Sequence, residues 1–177
     1  VDDMIYSRIA GVVLAGGRSS RMGMNKAMLS FRGSPLVDHM RQILQGAGIE
    51  DIFIGGDVEG YDHIPDATRY AGPAQAIWNI MEALPAYDYF LVVPVDMPLL
   101  NSALITPLLK SPCGAYWQNY PLPAFLRRGV AIWHCNSVRD IHQTLGSKKM
   151  PLLQDDLLMM RNINTPSDWE AMVSHEY

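Results

Sequence analysis

Apolar and polar positions along the chain follow two alternating periods. IAGVVL at 9–14 is a dense apolar run, which reads as a strand buried on both faces of a sheet. PLVDHMRQIL then places apolar residues at helical spacing; the pattern predicts a helix that starts at Pro35, favoured in a first turn, and stops at Gly46. DIFIGG at 51–56 is the next strand, the polar stretch 56–73 a connection, 74–84 a helix, and DYFLVVPV at 88–95 a third strand running into DMP at 96–98. This β-loop-α-β-α-β order defines an α/β fold, a mostly parallel sheet with helices on both faces.

The second half is less regular. LLNSALITPLLK at 99–110 predicts a helix, and 114–134 two or three short strands. NSVRDIHQTLG predicts a helix capped at Asn136, and LLMMRNINTP a further strand. The last segment, from Thr165, predicts a helix with Thr165 as N-cap and Pro166 in its first turn. With no internal repeat, low-complexity tract or clear linker, the second half is expected to complete the same sheet, and residues 1–177 to form one domain.

Composition narrows the class. With 177 residues, 49% hydrophobic and 18% charged, the chain is long enough for one large core and too apolar for disorder. A net charge of -4 gives no global attraction for nucleic acid or an anionic membrane surface. The longest apolar run, YFLVVPV, is far short of the roughly 20 residues of a membrane span. The acidic start VDDMIYSR does not have a signal-peptide pattern. Val1 is not an initiator, so Met4 is the expected start, and residues 1–7 are expected to be disordered or partly tag-derived. Cys113 and Cys135 have neither C-x-x-C nor zinc-ligand spacing; both are expected to be buried reduced thiols of a cytoplasmic protein.

Chemistry concentrates just past the first strand. LAGGRSSRMGMNK at 14–26 holds three glycines, two arginines and a lysine. It is not a Walker A loop, because Met24 and Asn25 separate Gly23 from Lys26, and Gly16, Gly17 and Gly23 do not have dinucleotide-fingerprint spacing. Its glycines let main-chain N–H groups approach an anion or a base edge, and Arg18, Arg21 and Lys26 offer charged donors; a solvated basic turn fits the same residues. Asp96, directly after an apolar strand, either caps the following helix or meets a metal ion. Because this loop and Asp96 both leave carboxyl ends of predicted parallel strands, they share an edge of the sheet and can converge on one polyphosphate. Asp66, six residues before Gly72, reads as a turn aspartate, and the amides of NINTP as caps and Asx turns.

In order along the chain, LAGGRSSRMGxxK at 14–26, PD at 65–66, GP at 72–73, DMP at 96–98, PLPA at 121–124 and NINTPSDW at 162–169 resemble the molybdenum cofactor guanylyltransferase (MobA) family. The resemblance implies a three-layer, Rossmann-like nucleotidyltransferase fold with a mostly parallel mixed sheet. It implies that Leu14, Ala15, Gly16 and Gly17 present main-chain atoms to base and sugar. Arg21, Gly23 and Lys26 would surround the triphosphate, Asp66 would contact the nucleoside, Arg18 and Gly72 would also belong to the nucleotide site, and Asp96 would hold Mg²⁺ with Asn164 nearby. Arg21, Lys26 and Asp96 are the expected catalytic groups, Lys26 being an exposed lysine that contributes little to the core. The implied reaction is attack of the terminal phosphate of the molybdenum-bound pterin on the α-phosphate of GTP, with release of pyrophosphate. The implied partners are GTP and the molybdenum-pterin cofactor, with transient contact to cofactor-biosynthesis or acceptor proteins, and neither nucleic acid nor membrane. The chain departs from the family at Asn25, where Asp is usual, at Ala76, where GPxxG ends in glycine, and at Gly55 and Gly56, where an Asn is often offered to the nucleotide. Gly16 in LAGG, against LAAG of cytidylyl relatives, points to GTP; a cytidylyl or sugar-1-phosphate nucleotidyltransferase, or a non-catalytic nucleotide binder of the same shape, are the alternatives.

Overall fold

The computed structural model describes residues 7–16, 25–66 and 71–174. Its elements are β1 (Ile9–Leu14), the small hairpin β2 (Ser30–Phe31) and β3 (Ser34–Pro35), α1 (Leu36–Gly46), β4 (Ile52–Gly55), α2 (Pro73–Ala83) and β5 (Tyr89–Pro94). There follow α3 (Ser102–Ile105), β6 (Ala115–Trp117), β7 (Tyr120–Arg127), α4 (Val138–Leu145), β8 (Lys148–Met150) and α5 (Pro166–Ser174).

Six strands form one sheet in the order β4-β1-β5-β7-β6-β8. β1 pairs in parallel with β4 and β5, and β6 with β8; β7 alone runs antiparallel, with Val92 opposite Ala124. The sheet is therefore mostly parallel and mixed. Alternation along β1 divides the core: Val13 faces the layer that holds Leu36, Met40 and Leu44 of α1, while Ala10, Val12 and Leu14 face Ile77 and Ile80 of α2 and Val138 and Ile141 of α4. Helices thus cover both faces, giving three layers. Each fully buried large side chain, such as Leu91 or Phe125, contributes about 1.5–3 kcal/mol by leaving water.

The direction of β7 decides where the site lies. Because it is antiparallel, its amino-terminal end, Tyr120 to Leu122, emerges at the same edge as the carboxyl ends of β1, β4 and β5. The start of β7 therefore joins the carboxyl ends of the parallel strands at one edge of the sheet.

Several local expectations are corrected. The 99–110 segment breaks into α3, capped by the Asn101 side chain on Leu104 N, and a 3-10 turn at Thr106–Lys110, because Pro107 cannot donate to a continuing helix. The cap of α4 is Ser137, which exchanges bonds with Asp140 in a capping box, rather than Asn136. The segment expected as a strand around 157–166 instead holds a 3-10 helix at Gln154–Met160 followed by extended chain. Cys113 is exposed and only Cys135 is buried; both are free. Of residues 1–7, all but Ser7 fall outside the described residues. No described helix is long and apolar enough to cross a membrane.

Candidate active site

A cavity of about 820 Å³ opens at this edge, lined among others by Leu14, Ala15, Gly16, Lys26, Asp66, Gly72, Ala76, Asp96, Tyr120, Leu122, Met160 and Asn164. All the expected site residues that the structure describes meet here. Gly17, Arg18, Arg21 and Gly23 lie outside the described residues.

At one pole the ends of β1 and β4 are in close backbone contact. Ala15 and Gly16 both donate to Gly55 O, at 2.8 and 3.2 Å, and a Cβ on Gly56, whose φ is +99°, would collide with the Gly16 backbone. A side chain such as Asn at 56 would not fit this approach. Asp66 closes the same corner: a Cβ on Gly16 would stand 2.7 Å from Asp66 Oδ2. Burial, reinforced by the charge of Asp57, raises the Asp66 carboxyl above its ordinary range. Gly72 has φ +92° at the N-cap of α2, a left-handed conformation that suits glycine.

Lys26, Asp96 and Asn164 meet in the middle. Lys26 Nζ donates to Ile163 O at 2.6 Å and to Asn164 Oδ1 at 3.3 Å, and lies 3.7 Å from Asp96 Oδ2. Its side chain is only 17% exposed, so the expectation of an exposed lysine is corrected. Ile163, fully buried, is held from its other side by Ile163 N donating to Asp96 O at 2.8 Å. The Thr165 hydroxyl accepts from Asp168 N, and Asp168 Oδ2 accepts from the N–H groups of Asn164 and Thr165. Capping of α5 is thus done by Thr165 and Asp168, which leaves the Asn164 side chain turned to Lys26.

Asp96 does not cap the helix after it, since Asn101 does. Burial pushes its carboxyl above the usual carboxylate range, and the Lys26 ammonium opposes that shift without cancelling it. Among the described residues there is no cluster of three or more His, Cys, Asp or Glu that could hold a metal. A closed protein cage of the zinc type is therefore absent from that set, whereas the Asp96 carboxylate on the wall of a roomy cavity fits a hard cation that completes its shell with substrate phosphates and water.

Asn25 accounts for itself locally. Its Oδ1 accepts from Ala27 N at 3.0 Å, and its Nδ2 donates to Asp57 O at 3.4 Å. An aspartate could make the first bond and not the second.

The far pole was not foreseen as a site. Tyr120, Pro121, Leu122 and Met160 form a more apolar wall there. PLPA was visible as a motif, but only the antiparallel course of β7 brings it to this edge.

The layered sheet, with a glycine-lined backbone corner, a lysine and the carboxylates of Asp66 and Asp96 at one edge, defines a nucleotidyltransferase of the three-layer α/β class. Residues 11–156 match the family model described as the MobA-like NTP transferase domain, and the chain belongs to that family. It is 32% identical over 180 residues to a molybdenum cofactor guanylyltransferase of Xanthomonas euvesicatoria pv. vesicatoria, covering 94% of each chain. Among solved structures it resembles molybdopterin-guanine dinucleotide biosynthesis protein A from Archaeoglobus fulgidus, with TM-score 0.71, 18% identity and coverage of 95% of this chain and 100% of that one. It also resembles a CMP:2-keto-3-deoxy-manno-octonic acid synthetase complexed with CTP, with TM-score 0.66, 15% identity and coverage of 97% and 100%. Both likenesses show the shared fold.

Proposed function

We propose that the chain transfers GMP from GTP to the terminal phosphate of the molybdenum-pterin cofactor and releases pyrophosphate. The observation that carries this reading is the single cavity in which the Gly16 corner, Lys26, Asp96 and Asn164 face one another. In it the nucleoside lies against the backbone of Leu14 to Gly16 and Asp66, and the triphosphate runs toward Lys26. The acceptor enters along Tyr120 to Leu122.

The acceptor phosphate oxygen forms the new bond to the α-phosphorus of GTP, and the bond from that phosphorus to the bridging oxygen breaks, so that pyrophosphate leaves with the electron pair. Both reactants are anions, and no covalent enzyme intermediate is needed. Lys26 neutralises phosphate charge, in company with Arg18 and Arg21 of the same loop. Asp96, with the substrate phosphates, would hold Mg²⁺, which would supply further neutralisation of phosphate charge. The backbone corner orients the nucleotide so that attack is in line.

Asn25 gives no reason to read the chain as a non-catalytic binder, because the amide is engaged in the turn that presents Lys26. Cytoplasmic placement goes with this activity and with two free thiols.

A panel of nucleoside triphosphates read by thermal shift, with and without Mg²⁺, tests the binding half of the proposal, since a ligand of the native state raises its stability. GTP with Mg²⁺ should raise the melting temperature most. No shift with any nucleoside triphosphate would overturn it.

A further inference from the structure

The apolar pole of the cavity is built on a grip from behind. α4 reaches the β6–β7 hairpin at two points one helical turn apart. Arg139 Nη2 donates to Asn119 O at 3.1 Å, and His142 Nε2 contacts Pro121 O at 2.9 Å. The two carbonyls are two residues apart, Asn119 in the hairpin turn and Pro121 in β7, and between them sits Tyr120, which lines the cavity with Pro121 and Leu122.

His142 is unusually committed for a polar residue. It is 2% exposed, and its ring stacks on Tyr116 with centroids 3.8 Å apart and planes 11° from parallel. A carbonyl can only accept, so Nε2 carries the proton, and the ring, held neutral by burial, has its lone pair at Nδ1. That Nδ1 has no hydrogen-bond partner among the described residues. The buried ring thus forgoes one bond while making the other to the cavity wall. The helix that carries it is fixed at both ends, by the Ser137–Asp140 capping box and by Gly146 in the left-handed region.

We propose that Arg139 and His142 are positioning residues for the acceptor: by holding the Asn119 and Pro121 carbonyls they fix Tyr120 and Leu122 as the wall on which a planar heteroaromatic ring system lies, while its phosphate points to Asp96. This rests on the proposed guanylyl transfer, and assigns α4 to acceptor binding and not to the nucleotide. Neither residue touches the reacting atoms. Arg139 is exposed and grips the hairpin turn; His142 is buried and grips the wall itself.

The test compares His142→Phe, which keeps a ring against Tyr116 and loses the donor, with His142→Gln, which keeps an N–H donor and loses the stack. Calorimetric titration of the full chain with GTP and, separately, with the molybdenum-pterin acceptor gives two affinities; acceptor-dependent pyrophosphate release gives kcat and both KM values. Loss of one buried hydrogen bond predicts that His142→Phe weakens acceptor affinity and raises acceptor KM about fivefold to tenfold. GTP affinity and GTP KM should stay within about twofold, and His142→Gln should recover most of the loss. Unchanged acceptor affinity in His142→Phe, or parallel loss of GTP and acceptor affinity, overturns the proposal. Should His142→Phe fail to fold, Arg139→Leu decides: a rise in acceptor KM alone supports the grip, and a KM equal to the parent's overturns it. A parent that binds both compounds but releases no pyrophosphate overturns guanylyl transfer instead, and the direct titrations still decide the role of α4.

Discussion

Lys26 Nζ stands 3.7 Å from Asp96 Oδ2, and the same ammonium donates at 2.6 Å to Ile163 O. The lysine therefore ties three distant segments together: the loop after β1, the end of β5 and the chain leading into α5. Its charge lies where the phosphates are proposed to pass, so it is a strap and, in the proposed reaction, also a phosphate ligand.

Lys26→Ala should accordingly have two effects. Turnover should fall roughly 100-fold or more, as when one preorganised donor to transition-state charge is removed. Loss of the bond to Ile163 O should also cost about 1–3 kcal/mol of stability, since the donor is charged and mostly buried. Steady-state kinetics and denaturant unfolding check the two parts. Near-normal turnover in folded protein would exclude Lys26 as the phosphate-binding group.

Asp96→Asn keeps the size of the side chain and loses its charge. Turnover should drop at ordinary Mg²⁺ concentration and recover partly as Mg²⁺ is raised, because the phosphates alone then have to hold the cation. A Mg²⁺ titration of initial rate is the measurement. A dependence identical to the parent's would remove Asp96 from the metal site.

Gly16→Ala brings a methyl group to 2.7 Å from Asp66 Oδ2 and to 3.5 Å from Gly56 Cα. Asp66 must move, so the change acts on the proposed nucleoside corner through its carboxylate as well as by crowding the backbone. GTP should bind more weakly, with the preference for GTP over CTP narrowed and the overall fold retained. Competition binding at fixed Mg²⁺ reads both quantities; an unaltered GTP to CTP ratio would show that this corner does not select the base.

His39 and His142 are both held below 6.5, by burial first, while the carbonyls of Pro98 and Pro121 pull the other way. Below 6.5 the unfolded chain takes up protons that the native rings refuse. The stability they confer is therefore full above 6.5 and declines as pH falls through their folded-state values. In His142→Phe the melting temperature should fall less steeply below that pH than in the parent. Equal slopes would mean that His142 is not buried neutral.

What could be read in the sequence follows from where burial was two-sided. IAGVVL and DYFLVVPV are covered by helices on both faces, so their apolar density identified them as central strands. β8 escaped notice because it is KKM, an outer strand with two exposed lysines and little apolar signal. At 157–166 the apolar letters suggested a strand, yet Met160 and Ile163 are buried three residues apart while Leu157 and Leu158 are exposed, a turn-like and not an alternating pattern. In the site, Lys26, Asp66, Asp96 and Asn164 could be named from ordered motifs. Tyr120 and Met160 could not, because their place depends on the reversed direction of β7 and on a strap closed by long-range contacts.

Acceptor-dependent pyrophosphate release, measured with GTP and with CTP at equal concentration in the presence of Mg²⁺ and the molybdenum-pterin acceptor, tests guanylyl transfer most directly. If the corner takes the guanine edge as proposed, polar main-chain groups are left unpaired when cytosine enters, and such mismatches are strongly rejected. Release should be rapid with GTP, depend on the acceptor, and be slower with CTP by roughly 100-fold or more. Equal rates with the two nucleotides, or faster release with CTP, would contradict the assignment.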